Sequence, residues 1–422
     1  MDAMARSEGA ADAEEVFFRE WRARRPGQTR DVARARRVAD LLGVGAPRAP
    51  VLAVVGSKGK GTAATYASAC LAAAGWRVCT VTSPGLRGNT DRIRVDGRAV
   101  DVDVLGALAA RLEEALRRMP PPDRGYLSPA GLFTIAGAVH AHEAGADALV
   151  LEAAMGGRSD EAALFAPAVV AITPIFGEHL GVLGDTVEAI AAEKAGAVAP
   201  GTRAVVSAPQ EPAVAEVLDG VVAARTGGGA AVEYMTGDGV DAPAAALPDG
   251  LGRVSALVGV AAGLRLLRAV GAPGPPRTRL RDVLASVRLP GRLSWHRLPG
   301  ADTDVLADAA IDGVGVAAAV DAARARWGGI DHALVCLPDH KDLDGAAAAL
   351  GSLPVTFVRL PYAHLRFTRP LPPHWTVIDA SALTRRRVAA LGRRVVAVGT
   401  VYFVGLVLDL VDADTERLFT AG

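Results

Sequence analysis

The stretch VLAVVGSKGKGT, Val51–Thr62, collects the residue types that handle phosphate. Glycines at 56, 59 and 61 let several backbone N–H groups converge on one point, and Lys60 adds a positive charge able to reach the outer phosphates of a nucleotide. The Thr62 hydroxyl is of the kind that faces Mg2+. Gly56, Ser57, Lys58, Gly59, Lys60, Gly61 and Thr62 therefore form the candidate nucleotide-binding loop. One detail departs from the common phosphate-loop pattern: Gly61 separates Lys60 from Thr62, so the hydroxyl comes one residue late. A plain glycine turn with an exposed lysine is the competing reading. The order strand, lysine, hydroxyl, helix favours phosphate.

Four more residues follow apolar strand-like runs or lie on a helix nearby. Ser83 comes after Val78–Thr82, Glu152 closes Ala148–Glu152, and His179 falls shortly after Val169–Thr173. A hydroxyl, a carboxylate and an imidazole near bound phosphates can hold Mg2+, which needs few protein ligands beside waters and phosphate oxygens. Taken singly, each has an ordinary structural explanation. Lys194 is the sharper oddity, because it lies four residues after Ile190 and seven after Val187, on an apolar helical face. A buried lysine is costly unless it is neutralised or paired. Its pKa falls readily, and the neutral amine can react with CO2 to give a carbamate anion.

These groups need elements to position them. Val51–Val55, Val78–Thr82, Ala148–Glu152 and Val169–Thr173 are short and continuously apolar, the pattern of strands buried on both faces. Helical patterns separate them at Thr62–Gly75, Leu105–Arg118 and Leu132–Ala144, and Asp185 with Glu188 suggests a capping box for a helix to Ala197. Alternation of strand and helix implies a mostly parallel sheet covered on both faces, with ligands at the strand ends. The basic segment Phe17–Gly43 reads as helical, anchored by Val38, Leu41 and Leu42, its arginines forming a solvated face. Val221–Gly252 reads as irregular, and Val254–Val270 as a helix. The expected domain boundary lies in Arg288–Arg292, dividing the chain into residues 1–288 and 289–422. Beyond it, helix and strand patterns alternate again, as in a second, smaller α/β domain.

Composition narrows the function classes. The 422 residues carry 46 basic and 46 acidic side chains, so net charge gives no argument for nucleic acid or an anionic membrane as partner. Cys70, Cys79 and Cys336 lack metal or redox spacing and suit a reducing cytoplasm. The first fifteen residues have no apolar signal core. The run Val395–Leu408 falls short of the ~20 apolar residues of a membrane span, and it reads as a buried strand and turn.

Taken in order, these motifs resemble the folylpolyglutamate synthase and dihydrofolate synthase family of the Mur ligase superfamily. VVGSKGKGT resembles its phosphate loop, and TSPGLRGNTDRIRVDG the loop that follows. LEAAMGGRSD and ITPIFGEHLGVLGDTVEAIAAEKAG resemble its metal and lysine segments. LPGRL, PDHKD and VGTVYFVG complete the series. The resemblance implies a P-loop, Mur ligase central-type domain followed by a Rossmann-like C-terminal one. It further implies Lys60 and Thr62 at the phosphates of ATP, and Ser83, Glu152 and His179 at magnesium. Lys194 would be the carbamylated lysine, catalytic together with Lys60 and His179. Arg292 and Asp308 would bind ATP.

Several positions depart from that pattern. Where the family has Asp-Gly-Ala-His-Asn, this chain has Asp308-Ala309-Ala310-Ile311-Asp312. Val254 and Val258 stand for a helical His and an Asn associated with adenine, Gly85 stands for a His, and Ala130-Gly131 for a Phe-Glu pair. The pattern is that of a divergent paralogue. The implied reaction is ATP-dependent amide formation through an acyl phosphate, joining a small-molecule carboxylate, folate-type, to an amino acid such as glutamate. A ligase for another acid and amine, and a nucleotide-binding paralogue with weakened catalysis, remain open. The expected state is a cytoplasmic monomer acting on small molecules.

Overall fold

The computed structural model describes residues 14–123, 125–235 and 244–421. Most of the N-terminal stretch read for a signal core, Arg124, and part of the Val221–Gly252 segment lie outside the described residues. The chain separates into two compact units, Met1–Arg288 with Glu416–Gly422, and Leu289–Thr415. The final residues thus group with the first unit, whereas the sequence boundary assigned them to the second. Arg94 donates to the Glu416 carbonyl and the Arg288 N–H to the Leu418 carbonyl, which ties this tail down.

In unit 1 the strands are β1 (Thr29–Arg30), β2 (Val51–Val55), β3 (Val78–Val81), β4 (Ile93–Val95), β5 (Arg98–Ala99), β6 (Gly125–Tyr126), β7 (Ala148–Glu152), β8 (Val169–Ile172), β9 (Ala204–Ser207) and β10 (Val232–Tyr234). Eight of them make one sheet in the order β10-β9-β8-β2-β7-β3-β4-β5. Every pair from β10 to β3 is parallel, and the β3-β4 and β4-β5 pairs are antiparallel. β2, β3, β7 and β8 are buried along their whole length, as their continuous apolar runs require. β2 sits between β7 and β8, so the chain leaves the centre of the sheet in both directions. That is the point at which open α/β sheets form ligand crevices.

The helix after β2, Lys60–Ala73, is buried throughout from Thr62 onward. It packs against the helix Gly252–Ala269 through small residues. A Cβ on Gly259 would overlap the Ala63 carbonyl, and one on Gly263 would lie 3.1 Å from the Ala67 carbonyl. Alanine and glycine at these positions let the two backbones approach closely.

Several local expectations change. The basic N-terminal segment is two helices, residues 14–23 and Val32–Leu41, with β1 between them. Asp31 caps the second by accepting from the Arg34 N–H. Its arginines are not all solvated: Arg34 is buried on Glu20. The helix Val187–Ala195 is capped by Thr186, which accepts from the Ala189 N–H, and not by Asp185. Val221–Gly252 includes the end of helix Pro212–Thr226 and all of β10.

Unit 2 holds β11 (Ser294–Arg297), β12 (Asp304–Asp308), β13 (His332–Cys336), β14 (Val355–Arg359), β15 (Thr376–Asp379) and β16 (Arg394–Gly399), in the order β11-β12-β16-β13-β14-β15. Only the β11-β12 pair is antiparallel. The apolar run from Val395 is β16 followed by the helix Val401–Leu410, capped by Thr400, in place of a strand and turn. Among the described residues no helix is long and apolar enough to cross a membrane.

Candidate active site

The loop Gly56–Gly59 turns directly from β2 into the helix Lys60–Ala73. Gly56 and Gly59 have φ of 136° and 81°, values that favour glycine. A Cβ on Gly56 would collide with Thr173, and one on Gly59 with Ser255. No side chain caps the helix at Gly59, so its first-turn N–H groups and its dipole point out at the loop. The Lys60 ammonium folds back onto the loop, donating to the Gly56 carbonyl at 3.0 Å and the Ser57 carbonyl at 3.2 Å. Ser57 is held in turn by its N–H on the Pro174 carbonyl, and its Oγ accepts from the Phe176 N–H.

Parallel register brings the other groups to the same end of the sheet. Glu152 pairs with Val54, and the Ala153 N–H continues onto the Val54 carbonyl at 2.9 Å. Glu152 is 8% exposed, and its Oε2 accepts from the Ser83 N–H at 3.0 Å. The same oxygen lies 3.4 Å from where a Cβ on Gly61 would stand, so the carboxylate sits against the first turn of the loop's helix. Ser83 Oγ accepts from Arg92 at 3.2 Å, and the Arg92 guanidinium lies over the Phe133 ring. Thr62 is buried two residues into the helix. Ser83, Glu152 and the loop are thereby gathered into one place. Their oxygen donors suit a hard cation such as magnesium.

Lys194, in the last turn of Val187–Ala195, is 1% exposed. Its Nζ donates to the Gly56 carbonyl at 2.7 Å and to Glu178 Oε1 at 2.8 Å. Burial, then the neighbouring Lys60 charge, lowers its pKa, and Glu178 opposes the shift. An amine of lowered basicity is the form that reacts with CO2. His179 is exposed, with φ of 51°, and its carbonyl accepts from the Val182 and Leu183 N–H groups.

In unit 2, Asp308 ends β12 and its Oδ2 accepts from the Leu293 N–H at 2.6 Å, which fixes the strand end to the loop carrying Arg292. Arg292 is exposed and donates to the Gly291 carbonyl. Asp312 caps the helix Gly313–Trp327 by accepting from the Gly315 N–H. Val258 is fully buried and Val254 partly so.

Sequence reasoning missed a set of charged residues in the loop after Glu152. Asp160 is buried and accepts from the Ala154 and Met155 N–H groups, both at 3.0 Å, and from Arg30 at 3.1 Å. Glu193 accepts from the Ser159 N–H and hydroxyl, bridging the same loop to the turn that bears Lys194. The Gly156-Gly157-Arg158-Ser159-Asp160 run carried a signal, since a glycine-rich bend ending in Asp often satisfies its own N–H groups. Arg30 comes from more than a hundred residues away and left no local trace.

Known proteins share part of this sequence and its fold. No protein-family profile matches the chain. A dihydrofolate synthase/folylpolyglutamate synthase of Escherichia coli is 33% identical over 177 residues, 42% of this chain and 40% of that protein. The one of Bacillus subtilis is 29% identical over 166 residues, 39% of this chain and 38% of that protein. The matched part is thus less than half the length of these relatives. Among solved structures, folylpolyglutamate synthase of Mycobacterium tuberculosis complexed with ADP superposes with a TM-score of 0.80 at 22% identity, covering 97% of this chain and 99% of that one. A folylpolyglutamate synthase–AMPPCP–folate complex gives 0.76 at 20% identity, with 96% and 98% covered. At such identity the superpositions show a shared fold.

Proposed function

We propose that this chain belongs to the folylpolyglutamate synthase and dihydrofolate synthase family and is an ATP-dependent ligase joining glutamate to a folate-type carboxylate. The observation that carries the reading is the convergence at one end of the sheet's central strands of the uncapped loop at Lys60, the Glu152–Ser83 pair and the buried Lys194.

A substrate carboxylate oxygen attacks the γ-phosphorus of ATP. The bond to the β-phosphate oxygen breaks, and ADP and an acyl phosphate result. The amine nitrogen then attacks the acyl carbon, phosphate leaves, and the amine proton passes to solvent or a base. Lys60 leaves the loop carbonyls to neutralise charge developing on the transferred phosphoryl group, and the first-turn N–H groups of Lys60–Ala73 hold the phosphates. Magnesium, with Glu152, Ser83 and His179 as its proposed ligands, would supply further charge neutralisation. Lys194 is the proposed carbamate carrier. ATP roles for Arg292 and Asp308 rest on the family resemblance. We take the working form to be a cytoplasmic monomer.

A second reading keeps this mechanism with another acid. It is favoured by position 131, where the acidic residue of the family pattern is glycine and the space is filled by the Glu161 carboxyl. Phosphate release from ATP, assayed with pteroyl compounds and other carboxylic acids against a panel of amino acids, separates the two. Release that needs both a pteroyl acid and glutamate, with an amide product, supports the first. Release with a different acid supports the second. ATP turnover with no amide from any pair would overturn both.

A further inference from the structure

Glu161 opens the short helical turn Glu161–Phe165 that follows the site's glycine-rich bend, and it is 1% exposed. Its Oε1 accepts from the Ser128 hydroxyl at 2.8 Å. Its Oε2 lies 3.5 Å from the Arg30 guanidinium and accepts no hydrogen bond, alone in this among buried side-chain atoms of the described residues. A buried carboxylate oxygen left so poorly satisfied is costly, and it needs an explanation. The surroundings supply one. Ser128 also caps the helix Pro129–Glu143, accepting from the Gly131 N–H. A Cβ on Gly131 would overlap the Glu161 carboxyl, so the missing side chain at 131 is what admits it. Arg30 meets Glu161 and Asp160 together. Asp160 in turn holds the N–H groups of Ala154 and Met155, the second and third residues after Glu152.

We propose that Glu161 is a positioning residue for Glu152: from the space vacated at Gly131 it anchors Arg30, and Arg30 with Asp160 fixes the loop on which Glu152 ends. The proposal rests on the ligase reading only for its activity readout. Two carboxyls share one guanidinium here, and burial followed by the Asp160 charge raises the Glu161 pKa to about 7. The groups facing it are Arg30 from β1, Asp160 from its own turn and Ser128 from the helix start. Tyr126 of β6 acts on Arg30, and Arg36 of the helix Val32–Leu41 is engaged by the Leu164 carbonyl.

Three variants test it. Glu161→Gln keeps the shape and the Ser128 contact while removing the titration. Because the folded pKa lies above the unfolded one, the wild type loses stability as pH rises from about 4.5 through about 7, and Glu161→Gln does not. Melting temperatures between about pH 5 and pH 8 should therefore diverge, the wild type falling relative to the variant. This readout needs no substrate, so it stands apart from the ligase assignment. Glu161→Ala should lower kcat about tenfold or more with the KM for ATP little changed, since the phosphate loop is untouched. Adding Gly131→Glu to Glu161→Ala returns a carboxyl to the same space and should recover most of that loss. Parallel melting curves for wild type and Glu161→Gln would overturn the proposal. So would full kcat in Glu161→Ala, or a double variant no better than the single one. If Glu161→Ala does not fold, the melting comparison and the pH profile of kcat in Glu161→Gln decide.

Discussion

Lys194 donates to the Gly56 carbonyl at 2.7 Å, tying a helix 138 residues away to the first glycine of the phosphate loop. Lys60 donates to the same carbonyl at 3.0 Å. One oxygen therefore holds both lysines, and their mutual repulsion helps depress the Lys194 pKa. A change at either lysine is felt by the other.

Replacement of Lys194 by Ala should cost turnover about a hundredfold or more. If Lys194 carries a carbamate, a small added carboxylate partly restores the rate, and CO2 depletion slows the wild type. Carbamate formation needs the neutral amine, so acidification through the lysine's lowered pKa should deepen the CO2 requirement. Steady-state rates in CO2-free and bicarbonate buffers, across pH, measure this. A rate indifferent to CO2 leaves Lys194 as the ion-pair partner of Glu178.

For Lys60, the expectation is a loss of ATP turnover with the fold intact. Among the described residues its hydrogen-bond partners are two loop carbonyls, worth about 1 kcal/mol each when solvent replaces them. Lys60→Ala should therefore melt within a few degrees of wild type, roughly 4 °C, while ATP hydrolysis falls about a hundredfold. Wild-type turnover in that variant would remove the loop from the mechanism.

Gly259 faces the Ala63 carbonyl with no room for a side chain. Gly259→Val should push the helix Lys60–Ala73 off its seat and cost about 1–3 kcal/mol of stability. A thermal melt reads the loss, and a second effect should appear in the KM for ATP because the displaced helix begins at Lys60. Unchanged melting would show that the helices separate more easily than their packing implies.

Nucleotide selectivity should be weak. By the family resemblance Val254 and Val258 stand where a His and an adenine-associated Asn are expected; Val258 is fully buried and Val254 partly so, and neither side chain can hydrogen-bond a base. A site that leaves no polar group unpaired with the wrong base discriminates poorly. GTP should compete within about tenfold of ATP, about 1.4 kcal/mol. A thousandfold preference for ATP in competition binding would show that other residues read the base.

The strands of the first sheet were legible because a parallel strand buried on both faces has to be apolar along its length, as Val51–Val55 and Ala148–Glu152 are. The phosphate loop was legible because glycines, lysine and hydroxyl are contiguous there. Lys194 stood out for a local reason too, a charge on an apolar helical face. The cap at Thr186 is not legible in the sequence, because Asp185 and Thr186 are both good caps and only the path of the chain decides which side chain meets the Ala189 N–H. Tertiary structure alone decided the Arg30, Asp160 and Glu161 cluster. In one dimension Arg30 is one more member of a basic run, and Gly131 is a helix residue without a side chain. Folding brings β1, the helix start at Ser128 and the turn after Glu152 together, and burial then turns three ordinary charges into one coupled group.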